Sequence, residues 1–404
     1  MLLTSQTINQ ILDCLFNLIV INNTTQHLIK QRRDVLIAFS NLYENVCLHS
    51  LSPFNNNEDL IKKLINSFLR CTRDYTNDRF GDSGRLVRET ACTQLVRLIK
   101  AIQSNEQTKY FLTSTVLHQC LNAILANVCS KIDDLRMTSG KALVEFLNID
   151  FEQSIENKNE LKTIFSNIDS IDWRNAQVVF SLVVQLLIYD KYRSIIWLNC
   201  LLTAGELGNA SQALYSYLIG QQTNHELIRL LFNDLEKIFS DKQTQQMRIL
   251  IPCIQACERL LSQSTFENFS RINTDEFIRY WMNLLTSFDD ILQKKQQILN
   301  NNPTLYLHFI KLYCSLLQFN HDKFRQIVLE TITKCFLHNY PWVRRQAAQN
   351  LYDTCIMYTD DFFPDDTDDK SEQVLNLLTE TDWEQNFDEL TRIRQTLLNL
   401  FRNE

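Results

Sequence analysis

Glycine and proline are scarce in this chain, with 6 glycines and 5 prolines among 404 residues. Average usage of about 7% and 5% would give roughly four times as many. Because hairpins and tight βα loops depend on these residues, their scarcity argues against a fold built on β-sheets. The composition therefore favours helices joined by polar connections.

An excess of basic charge is also missing, since the formal net charge is -7 and the pI is about 5.6. This balance is unlike a nucleic-acid-binding footprint. The longest apolar runs, such as 178–189, are too short to cross a bilayer, and the N-terminal stretch lacks the basic segment and cleavage site of a secretory signal. We expect a soluble cytoplasmic protein that neither binds nucleic acid nor spans a membrane.

Cysteine is plentiful, but the 12 cysteines form no C-x-x-C pair. Cys253 and Cys257 lie one helical turn apart in an apolar stretch, which is typical of buried reduced thiols. Cys47 and His49 form a close Cys/His pair, and they lack partners at metal-ligand spacing. We expect neither a metal site nor a cofactor.

Apolar residues recur at helical spacing through nearly every segment. In the segment 60–69, Leu60, Leu64, Ile65 and Phe68 share a predicted face. Strand alternation is absent over comparable lengths, and polar clusters at 52–59, 166–172 and 300–303 are short enough to connect helices. The sequence predicts an all-α chain without an obvious linker.

One helical pattern occurs more than once. Val343-Arg344 is followed by Ala347 and Leu351, and Val87-Arg88 is followed by Ala91 and Leu95 at the same offsets. Leu135-Arg136 and Phe324-Arg325 begin looser copies. An apolar residue and arginine followed by a small residue and leucine resembles the second helix of a HEAT repeat. We therefore predict a HEAT/armadillo-type α-solenoid of stacked antiparallel helix pairs over residues 1–404.

The arginines of this pattern have predicted partners. Asp82, Asp133 and Asp322 lie just ahead of Arg88, Arg136 and Arg325, and we expect each acid to meet its arginine. We expect Arg344 to form a ladder between repeats and Arg345 to face solvent. Pro341 suits the first turn of its helix, where the missing N–H costs nothing.

A more specific resemblance begins at the segment 74–91, DYTNDRFGDSGRLVRETA. It resembles the D-Y-T-x-D-x-R-G-D-V-G-x-W-V-R-x-A segment of tubulin-folding cofactor D. The matching residues are Asp74, Tyr75, Thr76, Asp78, Gly81, Asp82, Gly84, Val87, Arg88 and Ala91. Phe80, Ser83 and Leu86 depart from the family pattern.

Three further blocks follow in the family's order. SKIDDLR (130–136), VVQLLIYDKYR (183–193) and the C-terminal 343–383 are similar to its EKIDRxR, VVQLL-x-x-x-x-YR and VRxxxAxxxY…VxxxLxxTxW segments. The resemblance corresponds to the C-terminal part of much longer proteins. A fragment, a shortened product and a natural lack of N-terminal repeats all remain open.

The resemblance implies a non-enzymatic protein of tubulin biogenesis. Members of the family capture β-tubulin after its release by the chaperonin and join cofactors E and C in assembling or dismantling the αβ-tubulin heterodimer. They also work with an ADP-ribosylation-factor-like GTPase, whose activation is shared with cofactor C. The implied location is the microtubule cytoskeleton of the cytoplasm. A different HEAT scaffold, such as a transport adaptor, is the alternative.

No catalytic motif is present, and neither a phosphate-binding loop nor a nucleophile elbow occurs. The acidic stretch 359–372 lacks the glycine and glutamate of an EF-hand, so we interpret it as a solvated loop. An electrostatic role, in which its aspartates repel or imitate the acidic tails of tubulin, is the other hypothesis.

Two groups of residues are candidates for partner contact. The first is the loop 74–84, which is either a turn that sets the angle between helix pairs or a contact surface. The second contains aromatic residues that either pack in the core or anchor an interface, namely Trp342, Tyr352 and Trp383. The segment 383–402 is predicted to be a capping helix, with Trp383, Phe387, Leu390, Leu397 and Phe401 on one stripe.

Overall fold

The computed structural model describes residues 5–19, 28–46, 52–55, 57–79, 81–165, 171–241, 246–295, 298, 303–363 and 369–402. Its contacts divide the chain into two compact units, Met1–Cys200 and Leu201–Glu404. Among the described residues, no helix is both long and apolar enough to cross a membrane.

The helices that begin in the first unit are α1 (Ser5–Leu18), α2 (Ile29–Val46), α3 (Glu58–Cys71), α4 (Arg85–Gln103), α5 (Ser114–Val128), α6 (Asp133–Asn148), α7 (Lys158–Ile164), α8 (Ala176–Val183) and α9 (Asp190–Ala204). Short 3-10 helices occupy Lys109–Phe111 and Val184–Ile188. Two strands, β1 (Asn77–Asp78) and β2 (Gly81–Asp82), pair antiparallel between α3 and α4.

The helices of the second unit are α10 (Gly208–Gly220), α11 (His225–Ser240), α12 (Met247–Ser262), α13 (Glu267–Ile272), α14 (Thr274–Lys294), α15 (Tyr306–Leu316), α16 (Asp322–Lys334), α17 (Pro341–Met357), α18 (Thr359–Phe362), α19 (Lys370–Glu380) and α20 (Phe387–Leu400). Short 3-10 helices occupy Pro303–Leu305 and Cys335–Leu337.

Helix α3 shows how local sequence sets these elements. The Asn57 side chain caps its start by accepting from the Leu60 backbone N–H at 3.1 Å, and two acids occupy the first turn. Its core face contains Ile61, Leu64, Ile65 and Phe68, whereas Leu60 is only half-buried. The predicted face was therefore wrong by one residue at its N-terminal end.

In the first unit, α2 packs against α4 and α4 packs against α6, so the three helices form a row. Helix α3 packs on α4, and α5 packs on α6. Arg33 Nε donates to Thr90 Oγ1 at 3.2 Å, and Arg97 Nε donates to Glu44 Oε1 at 2.6 Å. Because both contacts advance along α2 and α4 in the same order, these two helices run parallel. Parallel alternate helices, each with a partner helix, are the arrangement of stacked helix pairs.

The second unit contains a comparable row, in which α12, α15, α17 and α19 are successive neighbours and α11 packs on α14. Aromatic side chains fill much of its core. The Phe232 ring centroid lies 5.1 Å from that of Tyr280 and 5.9 Å from that of Trp281. Burial of each such ring contributes about 1.5–3 kcal/mol, which stabilises the row.

The predicted fold class, an all-α chain of HEAT-type stacked helix pairs, is confirmed. That residues 1–404 form one continuous solenoid stays a prediction. The only strands in the described residues are β1 and β2, which lie where the glycine-poor sequence places Gly81 and Gly84.

Candidate interaction site: the 74–84 hairpin and the arginine clamps

The loop 74–84 is a tight hairpin rather than an open connection. Asn77 pairs with Asp82 and Asp78 with Gly81 across β1 and β2. Gly81 has a φ of 105°, a backbone conformation that residues with a side chain rarely adopt. The Asp78 side chain and the whole of Phe80 lie outside the described residues.

Asp74 anchors the start of this hairpin. Its carboxylate accepts from Arg32 Nε at 2.8 Å, from the Thr76 backbone N–H at 3.0 Å and from the Thr76 hydroxyl at 2.6 Å. Only 1% of Asp74 is exposed. A buried carboxylate with a cation and two further donors is fully engaged within the chain, and it is not available to a partner.

Gly84 closes the hairpin. Its backbone N–H donates to the Thr76 carbonyl at 2.8 Å. A Cβ at this position would lie 2.4 Å from the Asp74 carbonyl oxygen and 2.7 Å from the Thr76 nitrogen. The glycine is therefore required by the close approach of two backbone segments.

Arg88, in the first turn of α4, ties the helix to the loop. Nη2 donates to Asp82 Oδ2 at 2.6 Å, and Nη1 donates to the Asp74 carbonyl at 2.8 Å. The guanidinium also lies 4.5 Å from the centroid of the Tyr75 ring. Tyr75 is 39% exposed, so it is the residue of this group that offers an aromatic surface to a partner.

Three other arginines form what we call the arginine clamps: Arg136, Arg325 and Arg344. Each donates to a backbone carbonyl just before its own helix, namely that of Ser130 (2.8 Å), Leu317 (3.1 Å) and His338 (2.5 Å) respectively. Each also donates to a carbonyl 36 to 39 residues further on, namely that of Trp173, Asp361 and Trp383. Each clamp thus joins the entrance of one helix to a segment 36 to 39 residues later.

The predicted meeting of arginine and preceding acid is confirmed twice. Arg88 pairs with Asp82 and Arg136 pairs with Asp133, each at 2.6 Å. It is wrong for Arg325, which forms no ion pair among the described residues. Its Nη1 donates instead to Asn320 Oδ1 at 3.2 Å and to the Asp361 carbonyl at 2.7 Å. The guanidinium is occupied by these two acceptors and by the Phe362 ring, whose centroid lies 5.0 Å away.

The C-terminal candidates occupy different environments. Trp383 is buried, with its ring 4.7 Å from Phe336 and its Nε1 donating to the Leu378 carbonyl at 3.4 Å. Trp342 and Tyr352 are half-buried. Arg345 is exposed and pairs with Glu384 at 2.7 Å.

The predicted stripe on 383–402 needs one correction. Phe387 is 47% exposed and does not belong to the core; its ring lies 4.8 Å from the Arg344 guanidinium. The helix itself begins at Phe387, where the Asn386 side chain caps it by accepting from the Glu389 N–H at 3.0 Å.

His338 lies beside the Arg344 clamp. Burial, together with the nearby Arg344 cation, lowers the pKa of its imidazole. A neutral ring suits the contact in which the Tyr340 N–H donates to His338 Nδ1 at 3.1 Å. The imidazole is therefore part of the turn before α17.

The cysteines are free thiols throughout the described residues, and most are buried. Burial raises the pKa of Cys257 to about 12 and that of Cys92 to about 12. Cys253, whose pKa burial also raises, lies in the same helix as Cys257. Such thiols are poor nucleophiles at neutral pH.

No group of three or more His, Cys, Asp or Glu side chains in the described ranges could hold a metal ion. Cys47, His49 and the centre of the acidic stretch, 364–368, lie outside those ranges. At the edges of that stretch, Phe362 and Phe363 are buried and α19 begins after Asp369.

Sequence reasoning missed two groups of residues. Arg32, the partner of Asp74, lies 42 residues earlier in a helix with no feature that marks it. Trp173 and its neighbours were missed because they act through backbone carbonyls, which leave no side-chain signal.

Comparison with known proteins shows similarity to tubulin chaperones over most of the chain. A family model described as tubulin folding cofactor D C terminal matches residues 118–296. The tubulin-specific chaperone D of Dictyostelium discoideum is 23% identical over 383 residues, an alignment that covers 87% of this chain. It covers 25% of that protein, so the chain spans about a quarter of the relative's length.

Proposed function

We propose that this chain, which resembles the C-terminal part of tubulin-folding cofactor D, is a non-catalytic tubulin-binding module of a tubulin chaperone. The proposal is carried by the family-model match at 118–296 together with the long alignment to a tubulin-specific chaperone. Two of the four sequence blocks, 130–136 and 183–193, lie inside the family-model match.

The stacked helix pairs support a binding role. Such pairs present extended surfaces, and at three places an arginine clamp ties a helix to a later segment through a backbone carbonyl. A tubulin subunit without its partner exposes the interface that the heterodimer buries. A broad, rigid surface suits the shielding of such a patch, and it needs no bond chemistry.

In finer detail, the module binds β-tubulin after its release by the chaperonin and takes part in assembly and disassembly of the αβ heterodimer. It works there with cofactors E and C and with an ADP-ribosylation-factor-like GTPase, whose activation it shares with other cofactors. This role places it in the cytoplasm, in association with microtubules. No enzyme activity of its own is assigned to it.

A HEAT scaffold of another kind, for example a transport adaptor, is the alternative function. The paired helices alone fit both functions. The tubulin-chaperone proposal is favoured because HEAT repeats in general do not account for the loop with Gly81 and Gly84 ahead of an arginine-bearing helix.

The test is co-elution of the purified 404-residue chain with native αβ-tubulin, and separately with the GTPase in its GDP and GTP forms. We expect a complex that contains β-tubulin, detected by size-exclusion chromatography and by immunoblotting for each subunit. The matched variant is Tyr75→Ser, which removes a partly exposed ring and its contact with the Arg88 guanidinium but none of the hydrogen bonds of the Asp74 carboxylate. Tyr110→Ser is its control on another exposed tyrosine.

Far-ultraviolet circular dichroism establishes that each variant is folded. A folded chain that captures neither tubulin nor the GTPase in either nucleotide state contradicts the proposal for this part of the protein. If both Tyr75→Ser and Tyr110→Ser bind tubulin as strongly as the unmodified chain, the tubulin-binding role stands. The 74–84 hairpin is then not part of the contact surface.

A further inference from the structure

Three side chains of the first unit hold the backbone of the connection between α6 and α7. The Glu156 N–H donates to His118 Nε2 at 3.2 Å, and the Glu156 carbonyl accepts from the Tyr192 hydroxyl at 2.6 Å. Ser114 Oγ donates to the Ser154 carbonyl at 3.0 Å. The imidazole lies in α5 and the phenol in α9, and the two rings stack with their centroids 6.1 Å apart. We call Ser114, His118 and Tyr192 the anchor residues.

The contacts of His118 fix where its ring carries a proton. Nδ1 lies 2.7 Å from the Ser114 carbonyl, which can only accept, so Nδ1 is the protonated nitrogen. The Glu156 N–H can only donate, so Nε2 must offer it a lone pair. Both contacts exist together only in a neutral imidazole. A proton on Nε2 would place two N–H groups opposite each other, and the contact with Glu156 would be lost.

The groups that face His118 respond differently to acid. Burial, together with Glu156 and Glu160, raises the pKa of the Tyr192 hydroxyl, so this anchor residue remains a donor at neutral and acid pH. The Glu156 carboxylate pairs with Lys191 of α9 at 3.8 Å, and both of these side chains are about half-exposed. An imidazole, in contrast, changes its charge between pH 5 and 8. The contact of His118 is therefore the part of the anchor that neutral to mildly acid pH can break.

We propose that His118 is a pH-sensitive switch for the α6–α7 connection. At neutral pH and above, the Glu156 backbone is held at its N–H and at its carbonyl. As the pH falls, Nε2 takes up a proton and releases the N–H, while Tyr192 keeps the carbonyl. The next residue, Asn157, has a φ of 57°, a left-handed conformation that is uncommon for residues with a side chain. Its release loosens the start of α7 at Lys158.

The test is amide hydrogen exchange of the full chain between about pH 8 and pH 5.5, the range in which an imidazole titrates. The rates are expressed as protection factors, which correct for the pH dependence of intrinsic exchange. Protection at 155–158 should fall about tenfold as the pH is lowered, as expected for the loss of one hydrogen bond to a backbone amide. Protection in the middle of α5 and α9 should stay constant. The switch is independent of tubulin binding.

His118→Gln is the decisive variant. Its side-chain oxygen can accept from the Glu156 N–H, but it does not change charge with pH. We expect this variant to keep the protection at 155–158 and to remove its pH dependence. His118→Phe keeps a ring without an acceptor, so protection should be low at every pH. His308→Gln changes another half-buried histidine, in the second unit, and should leave the pH dependence as it is.

Glu156→Gln addresses the neighbouring carboxylate, which also titrates in acid. If the loss of protection disappears in Glu156→Gln, the carboxylate is the switch and the proposal for His118 is wrong. Protection at 155–158 that does not change with pH, or a loss that persists in His118→Gln, would also overturn it. A loss of protection that spreads through α5, α6 and α9 would show unfolding of the unit instead of local release.

Discussion

Asp74 and Arg32 form a buried ion pair whose side chains are 0% and 1% exposed. Removing one member leaves the other charged and without its partner in the interior. Asp74→Ala should therefore lower the free energy of unfolding by about 3–5 kcal/mol, measured by urea denaturation followed by circular dichroism. The loss includes the two contacts from Thr76.

The control is the exposed pair of Arg345 and Glu384, whose side chains are 51% and 62% exposed. Because water screens this pair, Glu384→Gln should cost less than about 1 kcal/mol. Equal destabilisation by Asp74→Ala and Glu384→Gln would contradict the anchoring role of Asp74.

Gly84 gives a second prediction at the scale of one residue. A methyl group there would meet the Asp74 carbonyl oxygen at 2.4 Å, and backbone cannot move aside as a flexible side chain can. Gly84→Ala should destabilise the chain by about 1–3 kcal/mol in the same urea experiment. Gly220→Ala is the matched control, because nothing lies within 4 Å of its added Cβ.

The expected effect of Gly220→Ala is neutral or slightly stabilising, since alanine has less conformational freedom to lose in a helix. If Gly84→Ala were equally harmless, the hairpin would have to relax in a way that the close backbone contacts do not allow.

The sequence identified Asp74, Gly84 and Arg88 but did not give their roles. A glycine in a glycine-poor chain indicates a backbone requirement, yet the atom responsible, the Asp74 carbonyl, becomes visible only in three dimensions. Arg32 carried no local signal, because the pairing of residues 42 positions apart depends on how α2 lies beside the hairpin.

At the scale of elements, the arginine clamps hold successive helix pairs in register. Arg136 donates to the Trp173 carbonyl at 2.9 Å and is completely buried. Arg136→Met keeps the apolar stem but leaves the carbonyls of Ser130 and Trp173 without their donor. We expect a loss of about 2–3 kcal/mol, with faster amide hydrogen exchange at 173–176.

Arg136→Lys should not rescue the contact, since an ammonium group lacks the planar fork that reaches several acceptors. Arg174→Met is the control, because the Arg174 side chain forms an exposed pair with Asp134 at 3.0 Å, while its backbone carbonyl, which accepts from Arg136, is kept in the variant. Unchanged exchange at 173–176 in Arg136→Met would show that the loop is held by packing alone.

Periodicity and capping explain which element boundaries the sequence could give. The start of α17 at Pro341 agrees with the sequence, because proline suits a first helical turn. The start of α20 was placed four residues too early, since the apolar spacing includes Trp383 whereas the capping side chain is Asn386. The spacing of apolar residues predicts which face of a helix is buried, whereas the capping hydrogen bond determines where the helix begins.

For the molecule as a whole, composition predicted the fold class more firmly than the site. Scarce glycine and proline with helical spacing leave few alternatives to paired helices. The division into two compact units had no such signal, because no change in composition accompanies residue 200. Clefts were equally hidden, since the one lined by Ser264, Phe319 and Tyr358 brings together segments almost 100 residues apart.

The thiols give a prediction that tests the packing of both units at once. At pH 8, an ordinary thiol with a pKa of about 8.5 is roughly a quarter ionised, whereas one with a pKa of about 12 is ionised about once in ten thousand. Burial gives Cys92, Cys120 and Cys257 pKa values of about 12, while Cys14 is exposed.

Alkylation of the native chain with N-ethylmaleimide at pH 8, followed by peptide mass spectrometry, should modify the exposed Cys14 at least about tenfold faster than the buried Cys92, Cys120 and Cys257. Urea should abolish the difference, because unfolding removes the burial that raises these pKa values. Rapid native labelling of Cys257 with slow labelling of Cys92 would show that the core of the second unit is loosely packed. The reverse result would show loose packing in the first unit. Rapid labelling of all three would contradict the close packing from which both units derive their stability.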